Sequence, residues 1–202
     1  LKGNRKQIKK TVPLAAAKRY GLIADIIRQY QPKTIVETGT WIGQRAIEMA
    51  LASFENRDSF HYIGFDLFEE GNEELSIKEL NAKPIAKMRE KNKTFTFELI
   101  KGDTNQTLTD SINADMAFID GGHSTRTVQH EFSKLKHIPV LVFDDFITQD
   151  DQGNCVDPDF QEVNRIVEAT KHRKYVLPSG DRVREGGITH LAVILTDDTI
   201  EE

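Results

Sequence analysis

Thr34-Ile35-Val36-Glu37-Thr38-Gly39-Thr40-Trp41-Ile42-Gly43 is the stretch on which the fold turns. A short β-branched run closes on an acid, two glycines four apart mark a turn, and a helical pattern follows over 44–54. There Ala46, Ile47, Ala50 and Leu51 share one side. A strand running through a glycine turn into a helix is half of a βαβ unit. Working outward, the same alternation recurs. Further strands read at 60–65, ending at Asp66, and at 95–100, followed by Gly102-Asp103. Two more read at 114–119, ending in Asp120-Gly121-Gly122-His123, and at 140–143, ending in Asp144-Asp145. Helices read at 13–30, at 125–136 (Val128, Phe132 and Leu135 on one face) and through Val163, Ile166 and Val167. The polar stretch 69–92 is expected to be helical and broken near Pro84. Residues 175–177 and 191–195 read as an antiparallel pair joined through 179–187. Such alternation predicts an α/β fold: a doubly wound, mostly parallel sheet with helices on both faces. Strands buried on both sides show as continuous apolar runs, as Val140-Leu141-Val142-Phe143 does.

The length of 202 residues suits one domain. We read a basic tail over 1–12, an N-terminal helix over 13–30 and a core over 34–196. With 27 basic and 32 acidic side chains the formal charge is -5, which argues against a protein held to nucleic acid by phosphate charge. No apolar run approaches the roughly 20 residues of a membrane span, and no secretory signal is read. Cys155 is the single cysteine, and CxxC and HExxH patterns are absent. A reducing, cytoplasmic compartment is expected. Assembly into a homo-oligomer is compatible with the sequence.

In parallel sheets ligands bind beyond the carboxyl ends of the strands. The polar residues expected there are Glu37, Asp66, Asp103, Asp120, His123, Asp144 and Asp145. Gly39 can take positive φ and admit a ligand to the backbone, with Thr40 beside it, and Gly43 lets the helix pack closely. The turn is neither the G-x-G-x-x-G of a dinucleotide site nor a P-loop. An acid at Glu37 disfavours a diphosphate. Asp66 could accept both hydroxyls of a ribose, and Asp103-Thr104 could meet an adenine. The remaining histidines (His61, His130, His137, His172, His190) show no ligand spacing.

With these residues in place, the sequence resembles the class I S-adenosylmethionine-dependent methyltransferases. Their first motif, E/D-x-G-x-G-x-G, stands here as Glu37 to Gly43 with Trp41 replacing the central glycine. The resemblance covers residues 34–195. It implies a Rossmann-like seven-stranded sheet with an antiparallel C-terminal strand. It also implies S-adenosylmethionine as cofactor, held by Glu37, Gly39, Thr40, Gly43, Asp66, Asp103, Thr104 and Asp120.

Ile119-Asp120-Gly121-Gly122-His123-Ser124 resembles the Ile-Asp-Gly-x-His-Ser group of small-molecule O-methyltransferases, which includes macrocin O-methyltransferase. That likeness implies Mg²⁺ or another divalent cation on Asp120, Asp144 and Asp145. Carboxylates gathered at neighbouring strand ends would themselves favour a hard cation. Where the antibiotic-sugar enzymes carry a second acid, this chain has Gly122, and His123 is the nearest group to take a hydroxyl proton. The catalytic residues expected are therefore His123 and Asp120, acting on a hydroxyl of a small molecule. The rivals are a metal-independent methyltransferase, a non-catalytic nucleoside-binding module and a nicotinamide oxidoreductase. A nucleic-acid acceptor is disfavoured.

Overall fold

The computed structural model describes residues 18–155, 161–183 and 186–199. The expected basic tail over 1–12 and the start of the 13–30 helix lie outside them. The elements run α1 (Lys18–Tyr30), β1 (Thr34–Thr38), α2 (Gln44–Ser53) and β2 (Ser59–Asp66), then a 3-10 turn (Glu69–Gly71), α3 (Asn72–Leu80), α4 (Lys83–Glu90) and β3 (Thr94–Lys101). They continue with α5 (Thr104–Thr107), β4 (Met116–Ile119), α6 (Thr125–Leu135), β5 (Val140–Thr148), α7 (Glu162–Ala169), β6 (His172–Arg182) and β7 (Ile188–Thr199). The expected break in the 69–92 stretch falls at Asn81-Ala82. Pro84 sits in the first turn of α4, where a missing N–H costs nothing.

Seven strands form one sheet in the order β3-β2-β1-β4-β5-β7-β6. The pairings among β1 to β5 are parallel, and β7 runs antiparallel to both β5 and β6. Side chains alternate across it. Ile35, Tyr62, Phe118, Val142 and Val193 join one core with α1, α2, α3 and α4, whereas Val36, Phe65, Ile119, Phe143 and Ile194 join another with α6 and α7. Two covered faces explain the uninterrupted apolar strands. Among the described residues no helix is long and apolar enough to cross a membrane.

Strand order reverses at the centre. The chain leaves β1 for one face through α2 and leaves β4 for the other through α6, which opens a crevice between their carboxyl ends. Backbone bonds stitch its rim: Gly39 N–H to Phe65 C=O at 2.8 Å, Asp120 N–H to Thr38 C=O at 3.1 Å and Gly102 N–H to Asp66 C=O at 2.9 Å.

One strand end differs from expectation. β5 does not stop at Phe143 but continues to Thr148 through a bulge between Phe143 and Phe146. Asp144 and Asp145 are that bulge, and Asp145 is left-handed at φ 61°. A bulge re-aims side chains locally, which turns two adjacent acids toward the sheet end.

Candidate active site

A cavity of about 840 Å³ opens at the crevice. Gly39 and Thr40 from the β1 turn, Asp66 from β2, Asp103 and Thr104 beyond β3, and Asp120 and Gly121 beyond β4 all line it. Six of the eight expected cofactor residues thus share one wall system. Glu37 and Gly43 do not line it. Gly43 begins α2 at φ 75°, with Leu80 beside it.

Glu37 is a correction. It is fully buried beneath the turn, accepting from Arg45 Nε at 3.0 Å and from the Tyr62 hydroxyl. Burial pushes its carboxyl up, against Arg45 and Tyr62. It therefore supports the turn from below and does not face a ligand, so it has no bearing on diphosphates.

Asp66 keeps the position expected of it, held by two backbone donors. Trp41 N–H reaches Oδ2 and Phe68 N–H reaches Oδ1, both at 2.7 Å. Each oxygen retains acceptor capacity for a hydroxyl. Trp41 is in the left-handed region at φ 52°, and its carbonyl accepts from Ser76 Oγ at 2.8 Å. The turn without its central glycine is thus pinned on both sides, and the indole, 48% exposed, lines the cavity mouth beside Leu67.

Asp103 both caps and lines. Its Oδ1 accepts from Asn105 N–H at 2.9 Å at the start of α5, and Asn105's side-chain and backbone donors hold its carboxyl below the usual range. Thr104 Oγ1 donates to Glu131 Oε1 at 2.8 Å, and Thr38 Oγ1 donates to Glu131 Oε2 at 3.0 Å.

Glu131 was not singled out in the sequence. It lies on the apolar face of α6 between Val128 and Leu135, and an acid on that stripe is the signal that could have found it. A Cβ on Gly121 would collide with its carboxylate, which explains the glycine. Burial pushes Glu131 up to about 7. Because the folded state then holds a proton that the unfolded chain releases near 4.5, stability is full below that pH and is lost as pH rises toward 7. The loss is on the order of 3 kcal/mol. In urea denaturation across this range, Glu131→Gln should decline less steeply than the unsubstituted chain; parallel profiles would reject the assignment.

The acids expected to hold a metal are met by arginines instead. Arg45, from the first turn of α2, reaches Glu37, the Gly39 carbonyl at 2.9 Å and the Asp120 carboxylate, with Asp144 Oδ2 at 3.7 Å. Its guanidinium lies 5.3 Å from the Phe118 ring centroid. Burial works against its charge, but Glu37 and Asp144 outweigh that and keep its pKa above the ordinary value. Arg19 Nε is 3.4 Å from Asp144 Oδ2, and its Nη1 is 3.9 Å from Asp145 Oδ1. Asp144 is buried, and its Oδ1 accepts the Asp145 N–H at 2.9 Å. Burial and then Asp145 push its carboxyl up, against both arginines.

As a divalent-cation site the set does not fit. Two guanidinium groups already stand against these carboxylates, and a dication would have to displace or face them. Among the described residues no three His, Cys, Asp or Glu side chains converge as a ligand group. Arg45 was also missed in the sequence. Its signal was a cation in the first turn of a helix, where the macrodipole disfavours one.

His123 lies beyond the cavity wall at its expected loop. Its Nδ1 is 3.2 Å from Asp145 Oδ2, while Asp145 Oδ1 accepts from Thr189 Oγ1 at 3.2 Å. The expected base and one expected metal ligand are therefore each other's partners.

A family model described as a methyltransferase domain matches residues 36–151. No curated protein matches the chain. Among solved structures, the chain is similar to an O-methyltransferase from Bacillus cereus in complex with SAH, at 14% identity, a TM-score of 0.60, and 91% of this chain and 82% of that one. TomG of Streptomyces achromogenes, solved with SAM and involved in tomaymycin synthesis, gives 16%, 0.59, 95% and 85%. Cofactor-bound Rv0187 from MTB gives 14%, 0.63, 93% and 83%. These likenesses establish the fold. The family match spans more than half of the sequence and covers the β1 turn, the β4 loop and the β5 bulge, so the chain belongs to the methyltransferase domain family.

Proposed function

We propose that this chain transfers the methyl group of S-adenosylmethionine to a hydroxyl of a small-molecule acceptor, without a divalent cation. The observation that carries the reading is the single cavity that gathers Gly39, Asp66, Asp103-Thr104 and Asp120 from successive strand ends. A nucleoside lying across them would have its ribose at Asp66 and its adenine at Asp103-Thr104. Its amino-acid part would lie over the Gly39 turn.

When bound, S-adenosylmethionine supplies a methyl group already activated for transfer. The chain's own work is alignment and proton removal. His123 takes the acceptor's hydroxyl proton. Asp145 orients the imidazole through Nδ1, and the bulge and Thr189 hold Asp145 in place. Asp120, fixed by Arg45, closes the wall between cofactor and acceptor. The guanidinium groups that balance these acids support a reaction without a metal.

Calorimetry with S-adenosylhomocysteine tests the reading. One molecule should bind per chain, and Asp66→Ala should weaken binding by about 10- to 100-fold, the worth of hydrogen bonds to a charged group. NAD should give no comparable heat. Trp41 is the chain's single tryptophan and lines the cavity, so its fluorescence should report the same titration. Tighter binding of NAD, or undiminished binding by Asp66→Ala, would reject the cofactor assignment.

A further inference from the structure

Among the described residues, Arg19 and Arg45 are the cationic side chains that line the cavity. Arg45 is spent on Glu37, the Gly39 carbonyl and Asp120. Arg19 stands at 3.4 and 3.9 Å from Asp144 and Asp145, and its Nε is a buried donor with no hydrogen-bond acceptor. The residue is fixed in place. Its backbone N–H donates to Asp181 Oδ2 on β6 at 3.2 Å, and its guanidinium lies 5.6 Å from the centroid of the Tyr20 ring. Burial works against the charge, but Asp144 leads the groups that outweigh it. Arg19 itself lines the cavity, and a buried donor left without an acceptor is costly, so an anionic ligand oxygen beside this guanidinium would be favoured.

We propose that Arg19 is a catalytic residue that binds the acceptor's oxygen as it becomes anionic, supplying the positive charge that a divalent cation would bring. The inference rests on the function proposed above. As the acceptor's O–H proton passes to His123, the oxygen becomes negative beside Arg19. The oxygen–methyl bond then forms while the cofactor's carbon–sulfur bond breaks, and the sulfonium leaves as a neutral sulfide. Preorganised donors of this kind act without reorganising during the reaction. On this side of the cavity Tyr20, Arg45, Glu48 and Asp120 line the wall with Arg19, and Asp144, Asp145 and His123 stand behind it.

The test uses 4-nitrophenol, whose ionised form absorbs in the visible, with the full chain saturated in S-adenosylhomocysteine. The bound phenol should titrate about one pH unit below the free compound, a tenfold gain in ionised fraction. The shift should be equal in EDTA and in excess Mg²⁺. Arg19→Gln should remove the shift while keeping S-adenosylhomocysteine affinity within about twofold, and Arg19→Lys should restore part of it. A shift that needs Mg²⁺, one that survives in Arg19→Gln, or none in the unsubstituted chain would overturn the proposal. Failure to bind S-adenosylhomocysteine at all would instead overturn the function on which it rests.

Discussion

Gly39→Ala is expected to reduce S-adenosylhomocysteine affinity by more than about 100-fold and to destabilise the chain by about 3 kcal/mol. The reason is backbone against backbone. Gly39 is left-handed at φ 84°, and a Cβ there would run into the carbonyl of Asp120, with the Cα of Gly121 at 3.2 Å. Neither obstacle is a side chain that can swing away. The β1 turn and the β4 loop would have to separate, and these two loops are the floor of the cavity. Gly43→Ala is the control. It shares the positive φ, at 75°, but its Cβ would meet Leu80 Cγ at 3.4 Å, a contact that a small side-chain adjustment accommodates. It should cost about 1 kcal/mol in strain and leave ligand affinity nearly intact. Chemical denaturation and calorimetry on both variants decide the matter. Equal effects from the two substitutions would mean that positive φ alone, and not the loop contact, explains Gly39.

The same pair shows how far the sequence could be read. A glycine after a strand announces a special turn, so the place of the cavity was legible at Gly39, as were Asp66, Asp103 and Asp120 at successive strand ends. What Gly39 must avoid was not legible, because Asp120 lies far along the chain and meets it only through the reversal of strand order. Glu37 failed for a similar reason. An acid at a strand end faces either the crevice or the helix behind it, and Arg45 decides which. The apolar run that marks β5 in the sequence ends at Phe143, yet a bulge carries the strand on through Asp144 and Asp145. Once they stand inside it, their partners are Arg19, Arg45, His123 and Thr189, supplied by α1, α2, the β4 loop and β7. Neighbouring acids and the family likeness together suggested a metal. Only the tertiary pairing revealed that cations of the chain itself were assigned to them.

That pairing predicts the second large effect. Arg45→Met should destabilise the chain by about 3–5 kcal/mol at pH 8, the usual cost of leaving buried charge without its partner. Glu37 and Asp144 are buried almost completely, and Arg45 is the cation that the two share. Methionine fills similar volume and preserves the packing over Phe118, so the loss isolates charge from shape. Burial already pushes both carboxyls upward, and removing Arg45 raises them further. The folded variant then holds protons that the unfolded chain releases near pH 4. Its stability is greatest below that value and falls as pH climbs toward the raised folded pKa values, so the deficit should be smaller at pH 5 than at pH 8. Adding Glu37→Gln to Arg45→Met removes one of the orphaned charges and should recover part of the loss, a coupling that the two single variants do not show when summed. Urea denaturation of the four proteins of this cycle at both pH values measures each term. A deficit below about 1 kcal/mol that does not change with pH would show that Arg45 is dispensable to the acids around it. The charge balance that argues against a metal at Asp120, Asp144 and Asp145 would fall with it.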